Sequence, residues 1–387
     1  MPKNDALENK KTEAPFSSNS VRLSIGQWII VTVICLAAMC LTPAAWERYE
    51  KFSPEQDYRI PYELGNDYRL YERYCRTASS QNETLVVGDS VIWGHYVSRE
   101  NTLSHYLNEL TKGTEFANLG LDGIHPAAME GLLRYYGKNI TNKNVIVHFN
   151  PLWLSSPKQD LQSEKEFVFN HPKLVAQFSP RIPCYKASFS TRISAVLRRY
   201  CTLPNWISHM KITYFQSMAL PAWTLENPYR NPLKAVTFQL PDADDYEKSE
   251  NSNRPSENIG TDGFQWVMPD TSFQWSCFRR TIQLLRQRGN RVFVLVGPFN
   301  EHMLEKTSRE AYKTLKDQIK LWLAANNIDC YIPPALPVEF YEDASHPTSE
   351  GYTLLARQLS ADEIFEAFCL PGGSAQPPEG ELNPRRD

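Results

Sequence analysis

Ser90 lies in the run Val86-Val87-Gly88-Asp89-Ser90-Val91-Ile92-Trp93-Gly94, at the end of a short apolar stretch. An apolar run of that length ending in a glycine turn reads as a buried strand. A serine just beyond it falls at the carboxyl end of the strand, where open α/β sheets bind ligands. It also falls at the start of the next helix, whose N–H groups and field favour an anion. The same letters suit a plain strand-to-helix turn. A serine becomes a nucleophile when a base takes its proton and a carboxylate orients that base. Asp343-Ala344-Ser345-His346-Pro347 offers both groups, three residues apart on one loop. The chain order Ser, Asp, His is one that such triads use. Taken alone, that loop is equally a helix cap followed by a surface imidazole.

Acyl transfer also needs donors aimed at the developing oxyanion. The backbone N–H of Ser90 is one candidate. A glycine in Asn118-Leu119-Gly120-Leu121-Asp122-Gly123 is a second, and the side-chain amide of Asn150, after Val145-Ile146-Val147-His148-Phe149, is a third. Gly and Asn are common loop formers; the combination carries the weight. Three successive strand ends carry Ser, Gly and Asn, and a late loop carries Asp and His.

These residues need a frame. Hydrophobic patterning predicts strands at Thr84–Gly88, Phe116–Leu121, Asn144–Phe149, Arg291–Val296 and Cys330–Ile332. Helices are predicted at Tyr68–Ala78, Leu103–Leu110, Ala127–Tyr136, Phe273–Arg288, Glu301–Asn326 and Ser349–Phe368. Alternation at this pitch argues for βαβ units and a parallel sheet, an α/β fold. Residues 155–270 break the pattern and read as a large, Pro- and aromatic-rich insertion, with helices near Arg192–Tyr200 and Trp206–Gln216. Residues 47–82 read as a juxtamembrane linker, 83–370 as the main domain, and 1–22 and 371–387 as polar ends.

The blocks and their order resemble the SGNH/GDSL hydrolases over roughly residues 84–154 and 273–369. Gly88-Asp89-Ser90 resembles the first block, whose serine is nucleophile and oxyanion donor. Gly123 and Asn150 match the second- and third-block oxyanion donors, and Asp343 and His346 the final block. The resemblance implies a flavodoxin-like three-layer α/β/α fold with a parallel sheet, and no metal or organic cofactor. The third block departs: the family pattern is Gly-x-Asn-Asp, and here it is His148-Phe149-Asn150-Pro151. His148 reads as a structural strand-end residue or as part of the site lining. The insertion and an apolar N-terminal segment are similar to the envelope branch of this superfamily, which adds or removes O-acetyl groups on surface polymers. That likeness implies an acylated carbohydrate substrate. It leaves open esterase activity, transfer to polysaccharide with a membrane-bound acyltransferase partner, and a non-catalytic scaffold.

The chain has 387 residues, a net charge of −3 and no long basic stripe, which argues against nucleic acid as a partner. From Leu23 to Trp46 it carries no charge. About 20 apolar residues suffice to cross a bilayer. Lys3, Lys10, Lys11 and Arg22 precede the segment and favour a cytoplasmic N-terminus, with the main domain extracytoplasmic. A cleaved signal peptide ending near Thr42-Pro43-Ala44-Ala45 is the competing reading. Six of the eight cysteines lie outside this segment, as up to three disulfides or as buried thiols. Asp242, Asp244 and Asp245 lack calcium-loop spacing and read as a solvated loop. Asn82-Glu83-Thr84 and Asn139-Ile140-Thr141 fit the glycosylation pattern. Trp206, Tyr214, Trp223, Tyr229, Trp266 and Trp275 are candidate sugar-stacking surfaces, although such aromatics more often fill cores.

Overall fold

A computed structural model describes residues 23–81, 84–111, 115–240 and 264–369. The leader, the sequon residues Asn82 and Glu83, the acidic loop at 242–256 and the tail at 371–387 lie outside the described residues. The chain forms two units, Met1–Tyr49 and Glu50–Asp387.

The first unit holds helix α1, Ile25–Tyr49, whose Trp28, Ile29, Ile30, Val33, Ile34 and Leu41 are exposed. At about 1.5 Å per residue it is long enough, and apolar enough, to cross a membrane.

The second unit is built on a five-stranded parallel sheet. Its strands are β1 (Thr84–Val87), β2 (Phe116–Asn118), β3 (Asn144–Phe149), β4 (Arg291–Val296) and β5 (Asp329–Tyr331). Their order is β2-β1-β3-β4-β5, one of the two common doubly wound arrangements. Side chains alternate across the sheet, so each strand feeds two cores. Leu85, Val87, Val145, Val147, Val294 and Val296 join one apolar cluster. It includes residues of helices α2 (Tyr68–Ser80), α5 (Pro126–Tyr135), α10 (Phe273–Gln287) and α11 (Lys306–Ala325). Val86, Ile146, Phe293 and Leu295 join the other cluster, with α3 (Ser90–Trp93), α4 (Leu103–Leu110), α12 (Ser349–Ser360) and α13 (Glu363–Cys369). The result is three layers.

Register decides where the motifs emerge. Val86 lies beside Asn118, Val87 beside Val147, and Phe149 beside Val296. The carboxyl ends of β1, β2, β3 and β4 therefore open at one rim. The chain leaves β1 for β2 on one side and returns to β3 on the other, so the crevice of the switch point falls between β1 and β3.

Some expectations shift. The helix expected over Glu301–Asn326 is a 3-10 turn, Glu301–Met303, followed by α11. Leu304 adopts extended backbone and is buried, which separates the two. The helix expected over Ser349–Phe368 divides into α12 and α13, because the Asp362 carboxylate accepts from the N–H groups of Ile364 and Phe365 and starts a new helix. The stretch read as a linker is packed into the fold: Tyr58, Arg59, Ile60, Leu70 and Tyr71 are all buried. Arg59 donates to the carbonyls of Trp93 and Gly94 and stacks over the Trp93 ring. All eight cysteines are free thiols, so the disulfide expectation is corrected; Cys75, Cys184 and Cys277 are simply buried.

The insertion contributes four described helices: α6 (Phe189–Tyr200), α7 (Thr202–Tyr214), α8 (Leu220–Glu226) and α9 (Pro232–Ala235). Asp160 ties it back by accepting from the N–H groups of Phe273 and Gln274 at the start of α10. Of the aromatics considered as stacking surfaces, Tyr214, Trp223 and Trp275 are buried, and Trp266 packs on Phe264, Phe299 and Tyr312. Tyr229 is fully exposed, and Trp206 is half-buried.

Candidate active site

Ser90 opens α3, a single turn capped by Asp89, whose Oδ1 accepts from the Val91 N–H at 3.0 Å. The turn ends at Gly94 with φ +89°, a conformation that a side chain resists. The β2 loop closes against this turn at Gly120, where a Cβ would collide with the backbone of Ile92 and Trp93. Asn118 stitches the contact: its amide donates to the Ile92 carbonyl at 2.8 Å, and its oxygen accepts from the Gly120 N–H at 3.0 Å.

Three of the predicted residues meet. His346 Nε2 lies 2.8 Å from Ser90 Oγ, and His346 Nδ1 lies 2.8 Å from Asp343 Oδ2. The loop holding them is well fixed. Asp343 Oδ1 accepts from the N–H groups of Ser345 and His346, the Glu342 N–H donates to the His346 carbonyl, and the Asn300 N–H donates to the Ala344 carbonyl. With its carboxylate on Nδ1, the neutral imidazole carries its proton there and presents the Nε2 lone pair to the serine hydroxyl. Burial alone would lower the His346 pKa. The hydrogen bond and charge of Asp343, with Asp89 and Asp122 further off, outweigh it and hold the pKa above its ordinary value. Burial pushes the Asp343 pKa up, but the bonds it accepts from His346 and the backbone bring it below the usual value.

Asn150 and Gly123 come from the adjoining strand ends. One amide N–H of Asn150 donates to Asp89 Oδ2 at 2.9 Å, and its oxygen accepts from the Leu152 N–H. The amide group has a second hydrogen to offer. Gly123 has φ +67°, and a Cβ there would meet the side-chain amide of Asn170, so the insertion reaches this loop.

Asp89 is the buried hub behind Ser90. Besides Val91 and Asn150, it accepts from Trp153 Nε1 at 3.0 Å. His148 Nδ1 stands 3.2 Å from its Oδ1, an ion-pair separation without hydrogen-bond alignment. His148 Nε2 lies 2.9 Å from the Gly297 carbonyl and so donates to it. His148 is buried, which fits the structural reading of this residue. Burial would raise the Asp89 pKa; His148 and Asn150 reverse this, and the group stays ionised. Trp153 escaped the sequence reading, since nothing local marks a tryptophan in a 3-10 turn as a partner for a carboxylate 64 positions earlier. His95 escaped it too, although it directly follows the Gly94 of the first motif, and Asp122, inside the second motif, was given no role. His95 Nδ1 lies 2.8 Å from Asp122 Oδ1.

Compared with known proteins, the chain matches no family model and no curated protein.

Proposed function

We propose that this chain is a serine esterase of the SGNH/GDSL type that cleaves acyl esters, foremost O-acetyl groups on a cell-surface carbohydrate, while α1 holds it in a membrane with the main unit outside the cytoplasm. The observation that carries the reading is the unbroken hydroxyl–imidazole–carboxylate chain of Ser90, His346 and Asp343 at the β1/β3 crevice. The strand order and the shared rim of the Gly and Asn motifs support it.

In this mechanism His346 Nε2 takes the Ser90 proton as Oγ attacks the ester carbonyl, and the imidazolium then protonates the departing alkoxide. The oxyanion receives the N–H groups of Ser90 and Gly123 and the second amide hydrogen of Asn150. Asp89 holds Asn150 for this task. Water, or a sugar hydroxyl in the transfer alternative, then resolves the acyl-enzyme.

Incubating the detergent-solubilised full chain with p-nitrophenyl acetate, with and without an oligosaccharide, tests the proposal. The expected result is free acetate as main product and a trapped acetyl group on Ser90 by mass spectrometry. Acetylated oligosaccharide as main product would replace hydrolysis with transfer. Neither nitrophenol release nor a Ser90 adduct would leave the scaffold reading in its place.

The raised His346 pKa sets the pH profile. The base works as neutral imidazole, so kcat/KM climbs with pH and reaches half its plateau above the ordinary 6.5 of histidine. Replacing Asp343 with Asn removes the main raising influence and moves that inflection to lower pH, along with a fall in the plateau. An inflection that stays put in D343N contradicts this assignment.

A further inference from the structure

Helix α6 of the insertion presents its apolar face to solvent. A helix at the surface of a globular protein ordinarily turns that stripe to the core. In α6, Phe189, Ile193, Leu197 and Tyr200 recur at helical spacing, which places them on one face. The four are 73, 37, 47 and 69% exposed. The polar face is the one against the body. Arg192 donates to the carbonyls of Gln177 and Tyr185, Arg199 donates to those of Lys173 and Val175, and Ala195 is buried. Phe178, itself exposed, lies with its ring centre 6.0 Å from that of Phe189 and widens the stripe.

Charge and connectivity narrow what can cover this stripe. Between Glu166 and Glu226 the chain has seven basic residues and no acidic one. Among them Lys173, Arg181 and Lys186 are exposed. A second copy docked by the same face would set these cations against their equivalents, which disfavours a two-fold pairing. Residues 241–263 hold Tyr246 and Ile259 as their only large apolar side chains, too few to cover five. Glu50 is the first residue after α1, and the insertion holds it: His209 and Tyr214 of α7 bind its carboxylate. Lys51 comes next. Its N–H donates to the carbonyl of Phe238, an exposed apolar residue, at 2.9 Å. A chain that crosses a bilayer through α1 therefore meets the insertion within two residues of leaving that helix. A helix with an apolar face and basic surroundings lies in the plane of a bilayer surface, and anionic headgroups draw it there.

We propose that the insertion docks on the surface of the membrane that α1 crosses, with the apolar stripe of α6 among the headgroups and the basic residues facing anionic lipid. This rests on the reading of α1 as a membrane anchor, and not on the esterase chemistry.

The test uses the full chain in nanodiscs of phosphatidylcholine and phosphatidylglycerol. p-Benzoylphenylalanine replaces Leu197, Leu321 or Ile34 in turn, and photo-adducts are identified by mass spectrometry. All three positions are exposed, so the large side chain leaves the packing unaltered. Ile34 reports on α1, and Leu321 on α11, outside the insertion. Position 197 is expected to yield lipid adducts as position 34 does, with position 321 giving essentially none. Exchanging phosphatidylglycerol for phosphatidylcholine is expected to cut the yield at 197 at least about fivefold, the contribution of one Lys or Arg at an anionic surface, and to leave position 34 unaltered. Equal yields at 197 and 321, an undiminished yield at 197 in neutral lipid, or crosslinks from 197 to a second chain or to residues 241–263 in place of lipid each overturn the proposal. Absence of lipid adducts at position 34 removes the anchor reading of α1, and this inference with it.

Discussion

Replacing Ser90 with Ala is expected to lower ester cleavage by at least about a thousandfold while the protein stays folded, because removing one member of a nucleophilic triad abolishes the acyl-enzyme route whatever the other two retain. The change deletes one oxygen and its 2.8 Å contact with His346 Nε2. His346 keeps its bond to Asp343, and the backbone of α3 is unaltered. The stability cost is therefore about 1 kcal/mol, the net value of one hydrogen bond. Initial rates on an activated acetyl ester, with a denaturation curve beside them, give both numbers. Cleavage within tenfold of wild type would remove Ser90 from the chemistry. Loss of fold together with activity would contradict the claim that the hydroxyl has little structural work.

The largest expected stability effect lies elsewhere. His209 in α7 is buried with both ring nitrogens against carboxylates: Nδ1 is 2.6 Å from Asp67 Oδ2, and Nε2 is 2.9 Å from Glu50 Oε1. Arg73 pairs with Glu50, Tyr214 donates to Glu50 at 2.6 Å, and Thr213 donates to Asp67 at 2.7 Å. Two carboxylates facing one imidazole require both ring nitrogens to be protonated, so among the described residues the cluster sets two anions against two cations. Burial opposes that charge, but Asp67 and Glu50 prevail and lift the His209 pKa to about 9. Replacing His209 with Phe removes one cation from beside two buried carboxylates. Breaking a buried pair in this way costs about 3–5 kcal/mol. A urea midpoint at pH 7 measures it, and a loss below about 1 kcal/mol would refute the charged assignment.

The pH dependence has a definite sign. The folded pKa lies above the unfolded value of about 6.5. The stabilisation from His209 is thus complete below pH 6.5 and drains away as pH rises through about 9. A shift of that size is worth about 3 kcal/mol. Wild type should lose this increment between those limits, and H209F should not. Since α7 belongs to the insertion while Glu50 and Asp67 precede β1, the same titration loosens the hold of the insertion on α2.

Much of the frame was legible from patterning. Asn144–Phe149 and Arg291–Val296 are strands with those very limits, because strands buried on both faces read as unbroken apolar runs. Helix Leu103–Leu110 also matches its expected limits, since its period and its Thr102 cap are local signals. The break at Leu304 was not legible, because it depends on what lies beneath the chain; the Asp362 cap is a local signal, but it lies inside a continuous helical pattern that conceals it. The packing of residues 50–81 was missed for a different reason: α2 is plainly amphipathic and reads as a helix, but the segment before it has no regular period, and its burial depends on partners such as the Trp93 carbonyl and the aromatic cluster of Phe52, Tyr58 and Tyr74.

Residue order alone named Ser90, Asp343, His346 and Asn150 and the strands that carry them, with Gly123 picked out by the motif resemblance, because motif letters and hydrophobic period are local properties of a chain. Only the folded arrangement brought the hydroxyl and the imidazole, 256 positions apart, within 2.8 Å. It alone committed an Asn150 hydrogen to Asp89, set His95 and Asp122 beside His346, and buried Tyr214, Trp223 and Trp275 away from any sugar. Such pairings depend on strand order and register. These are fixed by the summed burial of two cores, a quantity that no short stretch of residues contains.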